Sequence, residues 1–230
     1  IVILVSFGDM MRVPGSKDDL LTVRAEGGDI RMVYSPLDAL VIAQNNPDKE
    51  VVFFAIGFET TAPIHALTIE ESYRRKLTNF SLLTSLFLVP PAIRSLMKDK
   101  DCRLDGILAA GHVCSITGIE EYKNLALSLK VPIAITGFEP FDLLYGIYKC
   151  VSLLENKQYT VENAYSRAVT SEGNAKARQL MKKYFSLADV EWRGLGILPL
   201  SGLCIRNKYE QYDAIKRFQL KTGYVRKERF

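Results

Sequence analysis

The sequence has no hydrophobic run long enough to form a membrane-spanning helix. A helix that crosses a bilayer needs about 20 consecutive apolar residues. The longest apolar stretch, residues 80–93, is interrupted by Thr84, Ser85, Pro90 and Pro91. The sequence therefore argues against a transmembrane protein.

Cysteine is scarce, and its spacing argues against a compact metal site. The chain has four cysteines, Cys102, Cys114, Cys150 and Cys204, and no C-x-x-C motif among them. Disulfide frameworks and zinc or iron–sulfur sites draw on paired or closely spaced cysteines. We therefore expect no metal site built from this chain alone, and a reducing compartment, the cytoplasm.

Several motifs of nucleotide-binding proteins and hydrolases are also missing. The sequence contains no Walker A loop G-x-x-x-x-G-K-[ST], no G-x-S-x-G nucleophile elbow and no H-E-x-x-H zinc motif. Gly194-Leu195-Gly196 continues to Pro199 without a third glycine, so it is a weak dinucleotide signal. None of these motifs is therefore available to identify a particular reaction.

The composition is that of an ordinary globular protein. Its 230 residues are 48% hydrophobic and 24% charged, which allows one large or two small domains. The net charge of +4 is concentrated in residues 206–230. We interpret that basic stretch as a solvated segment, with a docking surface for an acidic partner as the alternative; no motif there indicates nucleic acid. The chain begins at Ile1 inside an apolar run, which is typical of a fragment.

Short apolar runs alternate with helical patterns along most of the chain, as in α/β proteins with parallel sheets. Predicted helices follow the Ser35-Pro36 cap, cover residues 122–129, follow Pro140 with an apolar face at residues 143–154, and follow Asn174. The segment after that last helix is predicted to be irregular. Predicted strands are Ile1–Ser6, Ile30–Tyr34, Val51–Ile56, Phe80–Thr84, Leu104–Ala109 and Val131–Ile135, with a returning strand within Leu195–Ile205.

The repeats predict two α/β units, of which the first is incomplete. Residues 36–170 contain an unbroken series of strand–helix repeats and are assigned to a second domain. Residues 1–35, with about 171–230, are assigned to the remainder of a first domain and its return segment.

The carboxyl ends of the predicted strands carry glycines next to ionisable residues. Ligands of open parallel sheets bind at this edge, where glycine lets the backbone approach a ligand and helix N-termini attract anions. We therefore expect reactive or contacting side chains at Asp9, Arg12, Glu59, Thr60, Thr61 and His112. The expected binding positions around them are Gly8, Pro14, Gly15, Ser16, Gly57, Gly111 and Glu139.

Several of these residues also have a purely structural interpretation. Asp9 and Glu59 could cap the helices that follow them, and both threonines could be N-caps. Glu139 could be a cap or an interdomain ion pair. His112 could be structural, and together with Cys114 it provides only two metal ligands. We interpret His65, within a helix, as a surface residue.

The strings at these positions resemble the HypD family of hydrogenase maturation proteins, and the resemblance covers essentially the whole chain. The ten-residue motif that begins at Phe7 is the most specific. The matching strings are Phe7–Ser16, Tyr34-Ser35-Pro36, Gly57–Pro63, Gly111-His112-Val113, Gly137–Pro140, Glu191–Gly196 and Tyr212-Asp213-Ala214.

The resemblance implies two Rossmann-like domains that face a cleft. It implies a scaffold that assembles the Fe(CN)2CO centre of nickel–iron hydrogenase, with a HypC-type chaperone and a HypE-type cyanide donor as partners. The hydrogenase large subunit receives the product, and neither nucleic acid nor membrane takes part. The family also has a four-iron cluster.

The chain departs from the family pattern at both ends. The N-terminal C-G-G-H-T and G-P-G-C-P-V-C motifs and the C-terminal cysteine cluster of the family are absent. The resemblance implies that these thiols would lie upstream of Ile1 and beyond Phe230. We therefore expect no metal ligands within this chain, and a scaffold rather than a stand-alone enzyme. The alternatives are a nucleotide- or phosphate-using α/β transferase and a pure interaction module.

Overall fold

A computed structural model describes residues 1–15 and 17–221. Ser16 and the last part of the basic stretch, residues 222–230, therefore lie outside the described residues. A six-stranded sheet contains β1 (Val2–Ser6), β2 (Ile30–Met32), β3 (Glu50–Gly57), β4 (Phe80–Phe87), β8 (Phe185–Trp192) and β9 (Gly196–Ile205). Its strand order is β2-β1-β3-β4-β9-β8. The first four strands are parallel to one another, β9 is antiparallel to β4, and β8 is antiparallel to β9.

A second sheet has three parallel strands, in the order β5-β6-β7. They are β5 (Ile107–Ala110), β6 (Ile133–Thr136) and β7 (Val161–Asn163). The helices are α1 (Leu20–Ala25), α2 (Pro36–Gln44), α3 (Ala62–Arg74), α4 (Val89–Met97), α5 (Gly111–Thr117), α6 (Glu120–Leu129), α7 (Pro140–Glu155), α8 (Ala175–Tyr184) and α9 (Ala214–Arg217). Two 3-10 helices cover Gly8–Arg12 and Asn207–Tyr212. The α/β class with two Rossmann-like units is confirmed.

The grouping of strands differs from the sequence prediction at β3 and β4. Val51 on β3 pairs with Ile3 on one side and with Phe80 of β4 on the other. Both strands therefore belong to the first sheet, and their assignment to the second unit is corrected. The chain passes from the first sheet to the second across α4. The strand–helix repeats continue through this point, so no local sequence pattern indicates the change of sheet. We propose that the domain boundary lies there.

The segment after α8 is a strand, where the sequence predicted irregular structure. In β8, buried or half-buried residues alternate with exposed ones along its length. Because such a strand is half polar, it has no continuous apolar run. The returning strand β9 is confirmed as Gly196–Ile205.

The predicted helix starts are confirmed in detail. The Ser35 hydroxyl accepts the N–H of Leu37, while the Asp38 carboxylate accepts the N–H of Ser35, which forms a capping box. Asn174 caps α8 by accepting the N–H of Ala177.

Helix α7 packs through a different face from the one predicted. Asp142, Gly146 and Leu153 are buried. Gly146 allows this approach, since a Cβ there would lie 2.7 Å from the Cβ of Thr136. The predicted apolar face points outward, and Leu144 is 69% exposed. The exposed apolar side chains of this outer face are Phe141, Leu143, Leu144, Ile147, Tyr148, Val151 and Leu154.

Each sheet has its own apolar core. Phe53, Leu40 and Ile69 are fully buried around the first sheet. Ile133 and Leu125 are fully buried around the second. Across residues 1–15 and 17–221, none of the helices is both long and apolar enough to cross a bilayer.

We expect Ser35→Ala to lower the free energy of unfolding by about 1 kcal/mol, because it removes the cap of α2. Urea denaturation followed by circular dichroism measures this loss. Ser171→Ala, at an exposed loop serine, is the control and should change the free energy of unfolding by less than half as much. Equal effects of the two substitutions would contradict a stabilising cap.

Candidate functional site

The first sheet has a topological switch point between β1 and β3. From β1 the chain moves to β2 on one side, and then crosses to β3 on the other. The loops that follow β1 and β3 therefore diverge and leave a crevice at the carboxyl ends of these strands. In open α/β sheets this crevice is where ligands bind.

The loop after β1 presents Asp9 and Arg12 to solvent from the Gly8–Arg12 helix. One Asp9 carboxylate oxygen accepts the N–H of Met10 at 3.0 Å, a local bond within the first turn. Pro14 and Gly15 are also exposed. This loop therefore supplies one acid and one guanidinium to the rim of the crevice.

The loop after β3 is built around Gly57 and Thr61. Gly57 has φ +124°, a backbone conformation that side chains other than glycine rarely adopt. The Thr61 hydroxyl shares its proton between the carbonyl oxygens of Ile56 at 3.0 Å and Phe58 at 3.2 Å. Thr61 is the N-cap residue of α3 but makes no side-chain cap bond. Thr61 therefore holds the turn, while Thr60 lies half-buried beside it.

Glu59 is the most unusual residue of this loop. It is 2% exposed, and its Oε1 accepts the N–H of Val89 at 2.8 Å. Val89 is the first residue of α4, so Glu59 caps a helix other than the one that follows it. Glu59 Oε2 has no hydrogen-bond partner. Burial raises the pKa of Glu59 to about 7, although the Val89 N–H favours the ionised form.

His65 lies beneath both loops, and its prediction as a surface residue is wrong. The imidazole is fully buried, with its centroid 6.3 Å from the Phe7 ring and 5.6 Å from the Phe53 ring. Its Nε2 lies 3.4 Å from the carbonyl oxygen of Ile56. Burial lowers the pKa of His65 to about 4, so the ring is neutral at physiological pH. The apolar stripe of α3, which includes Ala62, is the sequence signal that could have indicated the burial of His65.

An aromatic cluster that no local sequence pattern indicates includes Phe58, the neighbour of Glu59. The Trp192 ring lies 4.8 Å from that of Phe87 and 6.3 Å from that of Phe58. Trp192 Nε1 donates to the Ser201 hydroxyl at 2.9 Å. The β8–β9 hairpin thus folds back toward the carboxyl edge of β3 and β4.

The second sheet brings His112 next to the loop after β6. The exposed His112 ring lies 4.8 Å from the Phe138 ring. A Cβ on Gly111 would lie 2.7 Å from the carbonyl oxygen of Thr136. Glycine is therefore needed where these two strand ends meet.

Glu139 forms an ion pair within the second unit. It occupies the N-cap position of α7 without a side-chain cap bond. Its Oε2 lies 3.3 Å from Arg167, which also donates to the buried Asp142. The hydrogen bond from Arg167 holds the pKa of Asp142 below its usual range. Glu139 therefore acts neither as a side-chain cap nor as an interdomain pair.

Glu59 links the two units electrostatically. Cys114 on α5 and Tyr122 on α6 are both fully buried, and the pKa of each is raised mainly by burial and further by the nearby Glu59 carboxylate. For Cys114 the pKa reaches about 12, so its thiol stays protonated. Within the described ranges, no hydrogen bond or ion pair joins Asp9, Glu59 and His112.

The described residues do not fit a metal cluster. Within residues 1–15 and 17–221, no group of three or more His, Cys, Asp or Glu side chains is arranged to hold a metal ion. The location of the family thiols upstream of Ile1 and beyond Phe230 stays a prediction, and Phe230 itself lies outside the described residues. The candidate site is a crevice lined by charged and hydrogen-bonding groups.

Comparison with known proteins gives one consistent result. A family model described as "HypD: Hydrogenase formation hypA family" matches residues 1–229. The hydrogenase maturation factor HypD of Azotobacter vinelandii is 45% identical over 228 residues, which is 96% of this chain and 60% of that protein. The hydrogenase maturation factor HypD of Rhizobium leguminosarum bv. viciae is 44% identical, over 96% of this chain and 60% of its own length. That of Escherichia coli K12 is 41% identical, over 95% of this chain and 59% of its own. The chain thus spans about three fifths of the length of these curated relatives.

We expect the stability of the folded chain to depend on the protonation of Glu59. Its pKa of about 7 lies above the ordinary value of 4.5, so the stability that the protonated form provides is complete below pH 4.5. It is lost as the pH rises through 7, by about 3 kcal/mol in total. Glu59→Gln removes this dependence.

Urea unfolding at pH 5, 6.5 and 8 measures the effect. The free energy of unfolding of Glu59→Gln, relative to the parent chain, should increase with pH. Glu26→Gln, at an exposed acid, is the control. A constant difference between Glu59→Gln and the parent would contradict a raised pKa for Glu59.

Proposed function

Since this chain belongs to the HypD family of hydrogenase maturation factors, we propose that it forms part of the scaffold on which the Fe(CN)2CO centre of nickel–iron hydrogenase is assembled. In this proposal the iron unit is cargo that the protein holds and passes on. The protein therefore binds and orients, and its turnover depends on other maturation proteins.

The observation that carries the proposal is the crevice at the switch point between β1 and β3. Asp9 and Arg12 lie on one side of it, and the Gly57 turn lies on the other. Cyanide ligands on iron are anionic hydrogen-bond acceptors, which suit a guanidinium and backbone N–H groups. We assign Arg12 and Thr60 to contact these ligands, and Thr61 to position the turn.

Loading and release of iron by thiolates requires proton transfer. Glu59, with a pKa of about 7, can hold or release a proton near neutral pH. Asp9 and His112 are exposed and can exchange protons with solvent or with a thiol brought to the crevice. We therefore assign proton handling to these three residues.

The same proposal includes a HypC-type chaperone, a HypE-type cyanide donor and the hydrogenase large subunit as partners, in the cytoplasm. No step in it uses a four-iron cluster, because the described residues do not fit one. A transferase that uses a nucleotide is the competing function. Saturable binding of ATP by this chain in calorimetry would favour that function over the scaffold.

We expect Asp9→Ala and His112→Ala, each made in the natural gene product that contains this chain, to reduce hydrogenase maturation by at least tenfold. Maturation is measured as hydrogenase activity in a strain that lacks its own factor of this family. Asp48→Ala is the matched control, since Asp48 is an exposed acid before β3, at the opposite edge of the sheet. Normal maturation with both variants, at normal protein levels, would refute the assignment.

A further inference from the structure

A cavity of about 350 Å³ lies beside Glu59, between the β8–β9 hairpin, α8 and the helices of the second unit. Its volume is within the range of small-molecule sites. Leu88 and Leu187 are among its apolar walls, Glu59 and Glu121 provide carboxylates, and Lys182 and Arg206 provide cations.

Glu59 lines this cavity, and one of its carboxylate oxygens has no hydrogen-bond partner. Glu59 Oε1 is occupied by the Val89 N–H, and Oε2 has no partner although the residue is buried. A buried, unpaired carboxylate oxygen is costly to leave without a donor. A ligand that brings one donor to this position therefore replaces a missing interaction.

The opposite charge lies on α8 and after β9. Arg206 Nε donates to the carbonyl oxygens of Lys182 and Phe185, each at 2.9 Å, which fixes the guanidinium at the end of α8. The Lys182 side chain is exposed beside it. These two cations repel a simple cation but attract a carboxylate.

We propose that this cavity binds a primary ammonium group joined by an apolar stem to a carboxylate. The ammonium meets Glu59 and Glu121, the stem lies against the apolar walls, and the carboxylate meets Lys182 and Arg206. This is the chemistry of a free ω-amino acid, or of a lysine side chain next to an acidic residue. The inference involves Glu59, as the proposed function does, but requires no iron chemistry.

The number of available acceptors favours ammonium over the other cationic groups. A guanidinium binds a carboxylate best through two parallel hydrogen bonds, and here only Oε2 is available. A metal ion would need more ligands than Glu59 and Glu121 supply. An ammonium is a point charge on a flexible stem, which one oxygen can accept.

Binding should depend on pH with a definite sign. The groups around Glu59 are the Val89 N–H, Glu121, Tyr122 and Cys114, with Lys182 and Arg206 across the cavity. An ammonium requires ionised Glu59, whose pKa in the free chain is about 7. Affinity should therefore rise about tenfold from pH 6 to pH 8, with release of a proton on binding at the lower pH.

Calorimetric titration of the chain with 6-aminohexanoate tests this proposal. We expect saturable binding at pH 8, about tenfold weaker binding at pH 6, and at least tenfold weaker binding of pentylamine and of hexanoate. Glu59→Gln should abolish binding, while Glu120→Gln, at the exposed neighbour of Glu121, should leave it unchanged. Leu187→Trp, at a half-exposed wall position, fills the cavity and should also abolish binding. This second variant tests the proposal if Glu59→Gln does not fold.

Titration with a peptide distinguishes the two ligands that could supply the ammonium and the carboxylate. Tighter binding of acetyl-Glu-Lys-Glu-amide than of 6-aminohexanoate indicates a lysine of a partner protein, and the reverse order indicates a free amino acid. Absence of saturable binding of both at millimolar concentrations, or equal binding of hexanoate, would overturn the proposal. Because no hydrogenase is present, these outcomes are independent of the maturation assay.

Discussion

The hydrogen bond from the Val89 N–H to Glu59 is the contact on which the rest of the site depends. It ties the loop after β3 to the first residue of α4, the helix through which the chain leaves the first sheet. It also places a carboxylate close to Cys114 and Tyr122 of the second unit. A single buried acid thereby joins the carboxyl edge of one sheet to the helices of the other. Burial of this acid raises the pKa of Glu59 to about 7, so the carboxyl group is partly protonated near neutral pH.

Much of the fold could be predicted from local sequence. The strands β1, β3 and β6 are apolar runs, and the Ser35 and Asn174 caps mark helix starts whose bonds are present in the structure. The loops expected to carry the site also lie at the carboxyl ends of β1, β3, β5 and β6. These features are local, since they depend on residues within one turn or one strand.

The features that could not be predicted depend on contacts between distant segments. The direction of Glu59 depends on α4, thirty residues away, and the burial of His65 depends on Phe7 and Phe53. The pairing of β3 with β1 is decided by where the chain changes sheet, which no local pattern marks. Each case requires knowledge of a neighbour that the sequence places far away.

The outer face of α7 has a practical consequence for work with this chain. The apolar face of a helix is normally packed against a core, yet Leu144 and Tyr148 are 69% and 65% exposed. A contiguous apolar surface of this kind promotes association of molecules with one another. We therefore expect low protein concentration to keep the chain monodisperse during purification and storage better than added sulfate or phosphate, which strengthen apolar association.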